Sequence, residues 1–134
     1  MSSMKIPPPV AELLGMDRLT FGDGKCTMKV EAGPQHANPM GTLHGGILCD
    51  LADAAMGMAF FSTCAEGESF TTLELKINFL RPFWTGTLLA HGWVVQRGKT
   101  VGMTECDVVD ENERLIAKAT STVMALRGEA AAGR

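Results

Sequence analysis

Asp50 and Asp53 interrupt an otherwise apolar run from Ile47 to Ala59. At 100° per residue, Gly46, Asp50, Asp53 and Gly57 fall within about 60° of one another on a helix. A buried carboxylate is unfavourable unless it is paired or hydrogen-bonded. Two readings follow. The stripe faces solvent or a subunit boundary, where acidic side chains usually sit. Alternatively, one of the two is a catalytic carboxylate in a cleft, where burial raises its basicity.

The segment before that run, Gly41-Thr42-Leu43-His44-Gly45-Gly46, has the make-up of a helix entry with exposed backbone. The first N–H groups of a helix have no intrahelical partner, and the helix dipole favours negative charge beyond them. Gly45, lacking a Cβ, would let a substrate carbonyl approach as in an oxyanion hole. The structural alternative is that Thr42 is an N-cap and Gly45-Gly46 a tight bend. Cys49 is a nucleophile only if a base adjoins it, and otherwise a small core residue. His36 and His91 are isolated. No G-x-S-x-G is present, so a serine-triad esterase has no support.

The elements that must position these groups can be read from periodicity. Thr42 to about Thr63 is the one long helical segment, apolar in nearly every direction, hence a helix buried on most sides. Pro7-Pro8-Pro9 reads as a linker or a helix entry, and Val10 to Leu14 as one or two turns stopped by Gly15. Leu19 to Phe21 and Cys26 to Val30 flank Gly22-Asp23-Gly24, a hairpin signal. Leu73, Leu75, Ile77 and Phe79 alternate with Glu74, Lys76 and Asn78, ending at Arg81-Pro82. Thr87 to Gln96, Thr100 to Asp110 and Leu115 to Leu126 follow as a three-stranded meander. The Ala/Gly-rich residues from Gly128 on read as disordered. The expected architecture is α+β, with one curved antiparallel sheet wrapped around one long helix. The outer face of that sheet carries enough apolar residues to expect a second subunit over it.

The chain has 134 residues, 46% of them hydrophobic and 20% charged. That suits a single domain, 1–134, with its core at about 16–126. Twelve basic against fifteen acidic residues, net −3, argues against a nucleic-acid binder. No uncharged apolar run spans a membrane. Met1-Ser2-Ser3-Met4-Lys5 lacks the apolar core of a secretory signal. Cys26, Cys49, Cys64 and Cys106 have no metal-ligand spacing and read as reduced thiols of a cytoplasmic protein, with no metal site.

The stretch His44-Gly45-Gly46-Ile47-Leu48-Cys49-Asp50-Leu51-Ala52-Asp53 resembles the signature of the hotdog-fold acyl-CoA thioesterases. It is most similar to the PaaI-like type within the 4-hydroxybenzoyl-CoA thioesterase superfamily. Asn38 before the His, Lys76-Ile77-Asn78-Phe79-Leu80-Arg81-Pro82 after the helix, and the Gly98-Lys99-Thr100 turn extend the likeness from Met16 to Leu126. The resemblance implies a hotdog fold and hydrolysis of acyl- or aryl-CoA to free acid and coenzyme A. Coenzyme A would be part of the substrate, and no cofactor would be needed. By the same resemblance, Asp53 is the carboxylate, either nucleophile or general base, and Gly45 N–H binds the thioester oxygen. Asn38 helps to hold the carbonyl or water, His44 lies beside the thioester, and Thr72 holds the attacking water. Arg81, Arg97, Gly98 and Lys99 sit near turns where coenzyme A phosphates would need donors. The resemblance further implies a homodimer with two shared sites, paired into a homotetramer. The competing readings are a non-catalytic acyl-CoA-binding or regulatory protein and a hotdog dehydratase acting on acyl thioesters.

Overall fold

The computed structural model describes residues 7–134. The secretory-signal reading of Met1 to Lys5 therefore lies outside the described residues. Helix α1 (Pro9–Leu14) begins on Pro9, whose fixed φ suits a first helical position, and ends at Gly15 with φ +77°. The Pro7-Pro8-Pro9 segment is thus a helix entry. Strands β1 (Met16–Gly22) and β2 (Lys25–Ala32) form a hairpin whose two turn residues, Asp23 and Gly24, both have positive φ. That is the mirror-image turn favoured by the twist of paired strands.

Helix α2 (Gly45–Phe61) starts three residues later than the apolar pattern predicts. The cap is His44 and not Thr42: the His44 imidazole Nδ1 accepts the Gly46 N–H at 2.9 Å. Thr42 is instead held in the preceding loop by Asn38. Leu48, Leu51, Ala52, Ala55, Met56, Gly57, Ala59 and Phe60 are buried, which makes α2 the central element. Four strands follow: β3 (Ser69–Phe79), β4 (Gly86–Arg97), β5 (Val101–Val109) and β6 (Leu115–Leu126). They complete one antiparallel sheet in the order β1-β2-β4-β5-β6-β3. The meander β4-β5-β6 is as the turns predict, and β3 joins its far side as an edge strand.

Strand β3 begins four residues before the alternating run and carries an irregularity at Leu73, between Thr72 and Glu74. Its apolar face is only partly covered. Leu73 and Phe79 are exposed, whereas Leu75 and Ile77 are half-buried. The helix lies against the sheet at Gly92 of β4, where a Cβ would stand 2.6 Å from the Ala55 carbonyl group. On the sheet's outer face, Lys118 Nζ forms an ion pair with Asp107 at 2.8 Å, stands 3.5 Å from Glu105 and lies over the Trp93 ring. Val95, Val101 and Met103 are exposed. After β6, Gly128–Ala131 form a 3-10 turn where composition predicts disorder.

Candidate active site

Asp53 sits in the third turn of α2 and is half-buried. Its Oδ1 accepts a hydrogen bond from Thr72 Oγ1 at 2.9 Å, the one hydrogen bond its side chain makes among the described residues. Thr72 lies on β3 immediately before the irregularity at Leu73. The sheet's curvature carries this edge strand back against the helix. Oδ2 of Asp53 is left for a substrate or a water. Thr72, having donated its proton, keeps acceptor lone pairs for the same water.

Asp50, one turn earlier, is exposed and lines the same pocket. Although the residue is exposed, the pocket wall partly desolvates its carboxyl and raises it above the ordinary range, and the negative charge of Asp53 adds to that. Cys49 between them is no nucleophile. Burial and the charges of Asp50 and Asp53 raise its thiol, and a raised thiol is a protonated one. Cys26 and Cys106 are raised to about 11 and about 12 by burial, and are likewise inert.

The entry to α2 forms a second group. Gly46 N–H is taken by the His44 ring and Ile47 N–H by the His44 carbonyl. Gly45 N–H has no partner among the described residues, which leaves it free to donate outward. The Phe79 ring covers the Gly45 Cα; a Cβ there would lie 2.9 Å from it. A side chain at this position would have to push the exposed Phe79 ring aside. Asn38 braces the loop before the helix: its Nδ2 donates to Thr42 Oγ1 at 2.7 Å, and its Oδ1 accepts from Met40 and Thr42 N–H. His36, buried behind this loop, accepts from Gly33 N–H and donates to the Leu14 carbonyl. Asn38, Gly45, Phe79 and Arg81 line a shared recess at this end of the helix.

The structure therefore brings Asp53 to Thr72, and Asn38 and Gly45 to Arg81, as two separate groups. Eight residues at 1.5 Å per residue set Gly45 about 12 Å from Asp53 along the helix. The four residues considered for coenzyme A are divided as well. Arg97 lies at the opposite end of α2 from Arg81, over the Phe60 ring, donating to Thr63 Oγ1 and to the Gly98 carbonyl. Gly98 closes the β4–β5 turn through its N–H to the Val101 carbonyl, with no room for a Cβ. Lys99 is exposed, and its carbonyl accepts from Arg127. Among the described residues no three His, Cys, Asp or Glu side chains meet as a metal-ligand group. None of their helices is long and apolar enough to cross a membrane.

Of Met56, Met58, Phe60, Phe61 and Phe79, which by type suit either an acyl or aryl pocket or the core, only Met58 lines the apolar pocket beside Asp53, and what the sequence reading missed is the rest of that pocket. About 360 Å³ in volume, it is lined by Pro8, Val10 and Ala11 of the α1 region, Met16 and Met28 of the hairpin, and Ala54, Gly57, Met58 and Phe70. The alternation of single elements carries no signal for a cavity between four of them.

The chain is similar to known proteins in sequence and in fold. Residues 40–117 match the model of the thioesterase superfamily. The chain is 31% identical over 108 residues to acyl-coenzyme A thioesterase PaaI of Escherichia coli, covering 80% of this chain and 75% of that enzyme. It is 34% identical over 101 residues to human acyl-coenzyme A thioesterase 13, covering 72% of this chain and 69% of the human enzyme. The solved structure of the E. coli PaaI protein superposes with a TM-score of 0.84 at 28% identity, over 91% of this chain and 87% of that one.

Proposed function

The chain belongs to the thioesterase superfamily, and on that premise we propose that it hydrolyses acyl- or aryl-CoA to free acid and coenzyme A with Asp53 as general base. The observation that carries the assignment is the Thr72–Asp53 hydrogen bond, which fixes one carboxylate oxygen and leaves the other facing an apolar pocket. A water bound between Oδ2 of Asp53 and the lone pairs of Thr72 gives up one proton to Asp53 as its oxygen attacks the thioester carbon. Negative charge then moves to the carbonyl oxygen. When the C–S bond breaks, Asp53 returns the proton to the departing thiolate. Asp53, Thr72 and water account for both proton transfers, so the reading assigns no cofactor.

The carbonyl oxygen needs a donor, and Gly45 N–H is the free one. About 12 Å separates it from Asp53 of the same chain, too far for both to touch one thioester. The reading therefore takes Gly45 from a second copy, in a dimer with two shared sites. The bare apolar side chains of edge strand β3, Leu73 and Phe79, favour the same arrangement. Pairing of dimers into a tetramer would cover Val95, Val101 and Met103 on the outer face. Asn38 acts through the loop it braces, and His44 by capping the helix that presents Gly45. Arg81 lies beside Gly45 and is the cation assigned to coenzyme A phosphate. Lys99, exposed at the far end of α2, is a second cation for it, while Arg97 and Gly98 shape the turn that carries Lys99. Four free cysteines suit a reducing cytoplasmic compartment.

The test is thiol release from a panel of acyl- and aryl-CoA esters, with Asp53→Asn as control. Turnover that depends on Asp53 supports the assignment. Affinity for acyl-CoA without turnover would replace it with a binding function.

A further inference from the structure

The pocket beside Asp53 has an end. Its walls come from opposite edges of the sheet, β1 and β2 on one side and β3 on the other, brought together around α2. At the C-terminal end of the helix three aromatic rings bridge that gap. Phe21 of β1 stands 6.3 Å from Phe61 of α2, and Phe61 stands 5.5 Å from Phe70 of β3, all tilted against one another. Arg18 lies over the Phe21 ring at 4.5 Å. Phe70 is therefore backed by Phe61, and Phe61 by Phe21.

In front, Phe70 lies on the bare backbone of Gly57. A Cβ at Gly57 would stand 2.8 Å from the ring. Gly57 is one turn beyond Asp53 on the same side of the helix, a rise of about 6 Å. A thioester whose carbonyl sits at Asp53 Oδ2 would thus run its acyl group over Ala54 and Gly57 into the Phe70 ring. Apart from Asp50, Asp53 and Arg18, whose guanidinium is stacked on Phe21, every lining side chain is apolar. A pocket of 360 Å³ lies at the small end of those that hold organic ligands.

We propose that this pocket takes the acyl group, that Phe70 is its end stop resting on Gly57, and that the preferred substrates carry an uncharged aryl or short-to-medium straight-chain acyl group. The proposal rests on the hydrolase reading above and goes further by naming the substrate class and the two residues that limit it.

The experiment is the dependence of kcat/KM on acyl length, from acetyl-CoA to palmitoyl-CoA with benzoyl-CoA alongside. The wild-type rate should fall sharply once the chain exceeds the pocket. Phe70→Ala should move that fall to longer chains, raising kcat/KM about tenfold or more for the first excluded substrate. Gly57→Ala should move it to shorter chains, with about a tenfold loss at the longest good substrate. Phe70→Leu provides a milder opening should Phe70→Ala fail to fold by circular dichroism. The same series is read as binding affinity in the Asp53→Asn background, where no turnover is needed. A length profile that Phe70→Ala and Phe70→Leu leave unmoved in both readouts overturns the end stop. A length-dependent affinity that shifts with Phe70, in a protein that turns over no thioester, supports the pocket and overturns the hydrolase reading alone.

Discussion

Thr72 Oγ1 donates to Asp53 Oδ1 at 2.9 Å, a bond that ties edge strand β3 to the middle of helix α2. It orients the carboxylate and leaves its second oxygen free. The bond is made by two residues nineteen positions apart, and the chemistry proposed for this chain depends on it.

Removing the base while keeping its shape should remove most of the rate. Asp53→Asn is expected to lower kcat by about 10²–10⁴, the usual worth of a positioned general base. Thr72→Ala should cost less, because the carboxylate keeps its charge but loses the hydroxyl that orients it. Thr72→Ser, which keeps the hydroxyl, should restore the rate. Thiol release, with circular dichroism to verify folding, measures all three.

The distance between Gly45 and Asp53 makes a prediction about mixed subunits. Gly45→Pro removes the free N–H, and Asp53→Asn removes the base; each protein alone should be inactive. Mixed and allowed to exchange, half the dimers hold one chain of each kind, and one of their two sites is intact. Activity should return to about a quarter of wild type. No recovery in a mixture shown by mass to contain heterodimers would place both residues in one chain's site.

Asp50 should make stability depend on pH in an unusual direction. Its carboxyl is raised by partial desolvation and by Asp53, so the folded chain holds that proton more tightly than the unfolded chain. The folded state is then favoured as pH falls through the carboxylate range and disfavoured above it. Asp50→Asn should raise Tm at neutral pH, and the gain should shrink to nothing near about pH 3, where both forms are neutral. A gain that persists unchanged at acid pH would deny the charge its role. Thermal melts of both proteins across this range decide it.

Gly92→Ala should be among the most damaging single changes in the chain. Its Cβ would meet the Ala55 backbone at 2.6 Å, and backbone cannot rotate out of the way as a side chain can. The helix would have to lift from the sheet, so the loss should exceed the roughly 1–3 kcal/mol typical of overpacking. Urea unfolding measures it, and a midpoint within error of wild type would mean that α2 rides on the sheet with slack.

Much of the fold was legible in local pattern. The Asp23-Gly24 turn, the apolar run from Ile47 to Ala59 and the alternation in the last three strands each state their element through its own period or turn chemistry. The start of α2 was less so. Thr42 is a sound cap by residue type, but an imidazole two residues later took that place, because the loop had already committed Thr42 to Asn38.

The sequence by itself determined which groups are available: two carboxylates one turn apart, a glycine at a helix entry, and a threonine in a strand to come. Tertiary structure alone decided how they group. Sheet order placed β3 next to β6, at the far edge from its own neighbour β4, and curvature then returned Thr72 to Asp53. The same curvature brought Phe70 to the pocket beside Asp53 and sent Arg81 and Arg97 to opposite ends of α2. The physical reason is range. Periodicity records how each residue faces its own element's partner, over a few residues at a time. Contacts between the two edges of one curled sheet depend on how every intervening strand twists, and no short stretch of sequence records that sum.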